Sequence, residues 1–286
     1  MATRSASLPH MRRRKPFPFA RAILLVLVVV TVLITIFPLL WLLQMSLKTG
    51  IEAFSMPPKL LFVPTLSNYF DLLEGKFMRS FRNSTVVGVA TTLISLLLGV
   101  PAAYALSRAG FRHEQGFSLW ILTTRMAPPI AFGIPFFLAY RTLGLIDTQI
   151  GLVIIYLTFN LSLVIWMMRT FFDGLPRSLE EAACIDGASI VDTFMRIVLP
   201  LSAPGLATTA IFCFLFAWND LFYALILTRS GSMTAPVAIV NFMNYEGWEW
   251  GKITAGGSII MIPVVVFSLL VRNYLIRGLT AGAVKD

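Results

Sequence analysis

The chain is poor in the residues that do covalent chemistry. Two cysteines, Cys184 and Cys213, and two histidines, His10 and His113, are all it has among 286 residues. There is no Cys-x-x-Cys, no His-Glu-x-x-His and no histidine cluster, so neither a metal site nor nucleophilic catalysis finds its residues. One cysteine falls in a polar stretch and the other in an apolar run, which argues against a disulfide. A Gly-x-x-x-x-Gly-Lys-Ser/Thr phosphate loop is missing too, so this chain is not an ATPase. Charge is also scarce. Asp, Glu, Lys and Arg make up 13% of the chain, against about 25% in an ordinary soluble domain. With 57% hydrophobic residues and a mean hydropathy of +0.80, a soluble fold would have far too much apolar surface to hide.

What is present instead is a series of long apolar runs, at roughly 22–46, 83–106, 117–140, 148–169, 205–227 and 254–276. Each is near the ~20 residues a helix needs to cross ~30 Å of hydrocarbon. Their Leu, Val, Ile and Phe content, and the lack of period-2 alternation, favour helices over a barrel. The expectation is an all-α polytopic membrane protein with six transmembrane helices. The first run follows a basic head but lacks a short core with a small-residue cleavage site, so it reads as a retained anchor. Asn83-Ser-Thr matches a glycosylation sequon at a membrane boundary and carries little weight there.

The basic residues set the orientation. Arg4, Arg12, Arg13, Arg14, Lys15, Arg21, Arg108, Arg112, Arg169, Arg177, Arg196, Arg272, Arg277 and Lys285 fall on one side. Lys48, Lys59, Lys76, Arg79, Arg82, Arg141, Arg229 and Lys252 fall on the other, and Arg125 lies within a span. The richer side is cytoplasmic, with both termini inside the cell. The net charge of +9 is then a topology signal. No basic stretch beyond the head is dense enough to track nucleic-acid phosphates.

Between the fourth and fifth runs, on the cytoplasmic side, lies Glu-Glu-Ala-Ala-Cys-Ile-Asp-Gly-Ala-Ser, the start of a stretch ending at Pro200. Ser178 with Glu181 fits a capping box, and Gly187 fits the turn that ends a short helix. A second helix is expected from Ser189 to Leu199, stopped by Pro200. Ala182 and Ala183 give the first helix a thin face suited to a groove on another protein, with Glu181 as an orienting charge. A solvated helical loop is the plainer alternative. A DNA-reading helix-turn-helix fails, because both flanks enter the membrane.

The run EEAA–CIDGA–(x9)–VLP resembles the EAA loop of permeases from importers of the ATP-binding-cassette (ABC) class. The resemblance covers nearly the whole chain. NSTVVGVATTLISLLLGVPAAYALSR, GLIDTQIGLVIIY, FAWNDLF and GLTAGAVKD are all similar to the smaller inner-membrane permease of maltose-type carbohydrate importers. The resemblance implies the ABC type I importer permease fold, and a coupling helix that docks on a nucleotide-binding subunit. Glu181, Ala182, Ala183, Asp186, Gly187 and Pro200 occupy the motif positions. It also implies partners: a cytoplasmic ATPase homodimer holding ATP and Mg, a second and larger permease, and an extracytoplasmic solute-binding protein. A homodimer of permeases stays open. The implied layout is a cytoplasmic head at 1–21 and a transmembrane domain at 22–277 with its coupling loop at about 170–204. A cytoplasmic tail at 278–286 reaches toward the ATPases.

Polar residues inside the runs each ask for a reason, since a charge there costs about 2.5–3.5 kcal/mol on insertion scales. Arg125 precedes Pro128 and Pro129, which loosen the helix; it either binds freed carbonyls or lines a passage. Trp218, Asn219 and Asp220 in the fifth run suit sugar hydroxyls and an apolar ring face, or else helix-bundle hydrogen bonds. Tyr156 and Asn160 in the fourth run are weaker candidates of the same kind. Two outer segments, 48–82 with Pro57, Pro58 and Pro64 and 229–252 with Trp248 and Trp250, are candidates for receiving a binding protein. Trp248 and Trp250 equally fit an interfacial aromatic belt. The whole reads as a permease for a sugar, polyol or sugar derivative. An ion-gradient-driven secondary transporter is the alternative, and it predicts an internal repeat and paired intramembrane acids.

Overall fold

The computed structural model describes residues 18–108, 110, 114–244 and 247–281, and there the chain is mostly helical. α1 (Pro18–Ser46), the single turn α2 (Gly50–Ala53) and α3 (Ser67–Glu74) come first. They are followed by α4 (Phe77–Arg108), α5 (Glu114–Thr123), α6 (Pro129–Thr142) and α7 (Gln149–Asp173). α8 (Ser178–Ile185) and α9 (Ile190–Thr193) lead through a π-helical turn at Phe194–Val198 into α10 (Leu199–Leu201) and α11 (Ala203–Asn219). α12 (Phe222–Leu227), α13 (Ala235–Val240), a two-residue antiparallel ladder pairing Met243 with Trp248, and α14 (Trp250–Ala281) complete it. The head up to residue 17 and the tail from residue 282 lie outside the described residues.

Among the described residues four helices are long and apolar enough to cross a membrane: Arg21–Ser46, Phe77–Arg108, Gln149–Asp173 and Trp250–Leu270. A fifth counts if Ile190–Leu201 and Ala203–Asn219, which meet at 77°, form one bent span. Six spans were expected, five continuous and one interrupted by polar residues, and two of the six runs are broken for local reasons. The run 117–140 splits at residues 124–128, where Pro128 adopts extended backbone and Pro129 starts α6; neither can donate a helical N–H. The run 205–227 splits at Asp220, which is extended (φ −65°, ψ 126°) and accepts the Ala224 N–H at 3.1 Å. α4, in contrast, begins at Phe77, well before residue 83. Its first turn is covered by protein, with Phe77 buried beside Leu72, Ala235 and Ala238.

Close approach at small residues holds the bundle together, as expected where lipid offers no hydrophobic drive between helices. A Cβ at Gly99 would stand 2.7 Å from Val164 Cγ1, bringing α4 onto α7. One at Gly205 would stand 2.5 Å from the Phe171 ring, bringing α11 onto α7. α1 runs along α14 and exposes Leu24, Leu33 and Ile34, a surface that suits lipid.

The ends of α4, α7 and α12 are tied by two polar residues. Asp147, at φ 58°, accepts N–H bonds from Arg229 (2.8 Å), Gly231 (3.0 Å) and Ser232 (2.8 Å). Asn83 donates to the carbonyls of Gly231 (3.1 Å) and Met233 (3.0 Å) and accepts from Gln149 (2.7 Å). Its amide is buried and fully engaged, so the sequon is a helix-packing residue, not a sugar acceptor.

Candidate functional site

Two places gather polar side chains that the bundle itself does not require. The first is α8 and the turn after it. Pro176 and Arg177 already supply the carbonyls for the first turn, which receive the Leu179, Glu180 and Glu181 N–H groups. Arg177 is therefore helical, and Ser178 is the first residue of α8, with no side-chain cap. The expected Ser178–Glu181 capping box does not form. Gly187 sits at φ +88° and turns the chain, with its N–H on Cys184 O (3.1 Å) and that of Ala188 on Ala183 O (2.9 Å). Ser189 then caps α9 through the Asp192 N–H at 3.1 Å. The second helix is not one continuous piece to Pro200. It passes through the π turn, continues past Pro200, and breaks at Ser202.

Glu181, Ala182, Asp186 and Gly187 are exposed, as are Ile185, Ile190 and Val191. Ala183 turns inward and is buried, so the thin face consists of Ala182 alone. The charge that orients α8 against the bundle is Glu180. Its Oε1 lies 2.6 Å from Arg108 Nη2 and accepts Arg108 Nε at 2.8 Å; its Oε2 accepts the Tyr104 hydroxyl at 2.7 Å. Arg108 also donates to Phe172 O (3.0 Å), and the Ser107 hydroxyl donates to Asp173. Burial works against the Glu180 carboxylate, but the bonds from Arg108 and Tyr104 outweigh it and hold its pKa below the ordinary range. Phe194 in the π turn packs on Tyr104 with centroids 4.8 Å apart. Both arms of the loop are thus fastened to the end of α4. Arg108 and Tyr104 were legible only as a topology charge and part of a motif.

The second place is a cavity of about 200 Å³ between the two helix breaks. Arg125 and Pro129 reach it from the α5–α6 break, Tyr156, Phe159 and Asn160 from α7, and Phe216, Ala217, Asp220 and Tyr223 from the α11–α12 break. Arg125 lies in the turn rather than within a helix, with its guanidinium 4.1 Å from the Phe216 ring centroid. Among the described residues no carboxylate forms an ion pair with it. The Tyr156 hydroxyl donates to Asp220 Oδ2 at 2.9 Å, so these two form one unit. Unwound backbone at this depth is tolerated where it lines a cavity.

Four of the six pathway candidates therefore meet in one place, and two do not. Trp218 is buried away from the cavity, with its indole N–H on Ile260 O (3.2 Å) and its ring stacked on Phe214. Asn219 donates back to Leu215 O at 2.9 Å. Phe159, Phe216 and Tyr223 were not singled out from sequence. Their only signal was spacing, Phe159 three residues after Tyr156, Phe216 four before Asp220 and Tyr223 three after it.

A helical membrane protein with broken spans around a polar cavity and a short exposed helix outside the bundle has the anatomy of a permease subunit. Residues 95–280 match the family model described as binding-protein-dependent transport system inner membrane component, and the chain belongs to that family. The chain is 40% identical over 254 residues to the trehalose transport system permease protein SugB of Mycobacterium tuberculosis, covering 87% of this chain and 92% of that one. It is 34% identical over 270 residues to the trehalose/maltose transport system permease protein MalG of Thermococcus litoralis, covering 93% and 97%. Among solved structures, one chain of a bacterial ABC transporter involved in import of the acidic polysaccharide alginate superposes with a TM-score of 0.75 at 27% identity, covering 93% of this chain and 99% of that one. The protein has the ABC importer permease fold and is a transport subunit, with ATP hydrolysis residing in a separate subunit.

Proposed function

We propose that the chain forms one half of a membrane passage that imports a sugar, polyol or sugar derivative, driven by a pair of cytoplasmic ATPases. The observation that carries this is α8. A membrane protein holds this short helix outside the bundle, fastens its inner side through Glu180 to Arg108 and Tyr104, and leaves Ile185, Ile190 and Val191 exposed beside it. Such a surface suits a groove on another protein. Glu181, Ala182, Asp186 and Gly187 then face the ATPase, Ala183 packs the loop from within, and Pro200 stands exposed near its far end. The trehalose and maltose for which SugB and MalG are named, and the likeness to the alginate transporter, support a carbohydrate as the solute.

In this reading the broken segments α5–α6 and α11–α12 each serve as one span, giving six crossings over residues 22–277, with both termini and the coupling loop at about 170–204 in the cytoplasm. ATP and Mg reside on the ATPase homodimer. A second, larger permease closes the cavity from the other side, and a binding protein delivers solute at 48–82 and 229–252. Rigid-body rocking of the two permeases converts ATP binding into alternating access.

Purification of the tagged chain from native membranes in mild detergent, followed by mass spectrometry, tests the assembly. A phosphate-loop ATPase and a second EAA-bearing permease are the expected companions. A chain that emerges alone, where known complexes survive, would overturn the proposal.

A further inference from the structure

The cavity between the helix breaks holds two polar atoms that the fold leaves without partners. Asn160 is 2% exposed and Tyr223 3% exposed, and both line the cavity. Asn160 Oδ1 and the Tyr223 hydroxyl each lack a hydrogen-bond partner. The rest of Asn160 is accounted for, since its Nδ2 faces Cys213 O at 3.4 Å. The rest of Tyr223 is packed: its ring sits 5.1 Å from Phe159 and 6.1 Å from Phe136. A buried polar atom without a partner costs about 1–3 kcal/mol, so two of them on one cavity wall mark a place built for something that brings hydroxyls.

The other walls specify what kind of molecule that is. Asp220 is held by Tyr156 and by the Ala224 N–H, both on Oδ2, which fixes its carboxylate at the cavity edge. Arg125 holds its guanidinium carbon 4.1 Å from the Phe216 ring centroid, and its N–H groups can meet oxygen. Phe159 offers an apolar ring. Acceptors, donors and an aromatic ring around one small space match a polyhydroxylated ring, with equatorial hydroxyls at its rim and C–H faces above and below. At about 200 Å³, the space suits one sugar unit rather than an oligosaccharide.

We infer that this chain itself carries a solute subsite, in which Asn160 Oδ1 and the Tyr223 hydroxyl bind the hydroxyls of a single sugar ring, with Asp220 and Arg125 at its edge. This rests on the importer reading above. It goes further in giving this permease, and not only its partner, direct contact with the solute. Tyr223 becomes a specificity residue and Trp218 does not.

The experiment uses the whole transporter with its binding protein in proteoliposomes, and labelled trehalose, maltose, cellobiose and an unsaturated alginate disaccharide as probes. Tyr223→Phe removes only the hydroxyl and Asn160→Leu removes the acceptor. If these atoms were merely orphaned, their removal would leave uptake unchanged and thermal stability equal or higher. The subsite predicts that each variant assembles and keeps its melting temperature, yet lowers the amount of sugar moved per ATP by about three- to tenfold, the worth of one hydrogen bond. Trp218→Phe at the same helix break serves as the comparison and keeps that ratio. Wild-type transport of a probe with both variants unchanged overturns the subsite alone. Wild-type transport of none of the probes overturns the sugar reading and the subsite with it.

Discussion

Arg108 and Glu180, far apart in the chain, are locked together at 2.6 Å between the end of α4 and the first turn of α8, with Tyr104 as a third member. Both side chains are largely covered, so this is a hydrogen-bonded pair and not a screened surface contact. It ties the exposed helix to the membrane bundle, which gives force applied to α8 a direct route into α4.

Glu180→Ala leaves Arg108 partly buried without its carboxylate. The expected result is a loss of about 1–3 kcal/mol in stability of the loop and a larger loss in sugar moved per ATP, read in proteoliposomes. Glu180→Gln, which keeps the shape and one acceptor, is expected to fall between. The pH dependence has a definite sign. The folded pKa of Glu180 lies below its ordinary value of 4.5, so its contribution is complete above that value and disappears as pH falls through the lowered one. Acid unfolding of the wild type but not of Glu180→Gln should steepen below about pH 4.5.

Gly187 turns the chain at φ +88°, and a Cβ there would meet no atom within 4 Å. Strain alone then sets the cost of Gly187→Leu, about 1–2 kcal/mol. The variant is expected to weaken co-purification of the ATPase and abolish binding-protein stimulation of ATP hydrolysis. Gly187→Asn, whose residue type enters the left-handed region more easily, should retain most of both. Normal transport by Gly187→Leu would remove the coupling role from this turn.

Arg125→Gln removes the only cation that lines the cavity among the described residues. Complex assembly, followed by pull-down, should be intact, and uptake should be lost. Unchanged uptake would return Arg125 to a purely structural role over Phe216.

Asp147 gathers three backbone N–H groups and the Ser232 hydroxyl. Burial opposes its charge, but the bonds from Ser232, Arg229 and Gly231 prevail and lower its pKa. Asp147→Ala orphans these donors and strains the backbone at φ 58°, so a loss of about 2–4 kcal/mol is expected in detergent melting experiments. Asp147→Asn should lose less. Stability from Asp147 is present above its ordinary value of 3.8 and declines only as pH drops through the lowered pKa.

The sequence by itself determined the environment and the exposed loop with its glycine turn. Composition and run length dictate apolar helices, because a backbone in lipid must satisfy its hydrogen bonds internally. The Gly187 turn and the exposed stretch around it follow from local chemistry that needs no distant partner. The tertiary structure decided what local patterns cannot encode. Ser178 fits a cap in sequence, but Pro176 and Arg177 start the helix first. Ala183 and Trp218 looked available for partner or solute, yet packing turns both inward, while Glu180 pairs with an arginine on another helix. Arg125 comes from the α5–α6 break, Asn160 from α7, and Asp220 and Tyr223 from the α11–α12 break, and only the two helix breaks bring these three segments around one cavity. Side-chain direction at a break depends on the neighbours that fill the space around it, and those neighbours are distant in the chain.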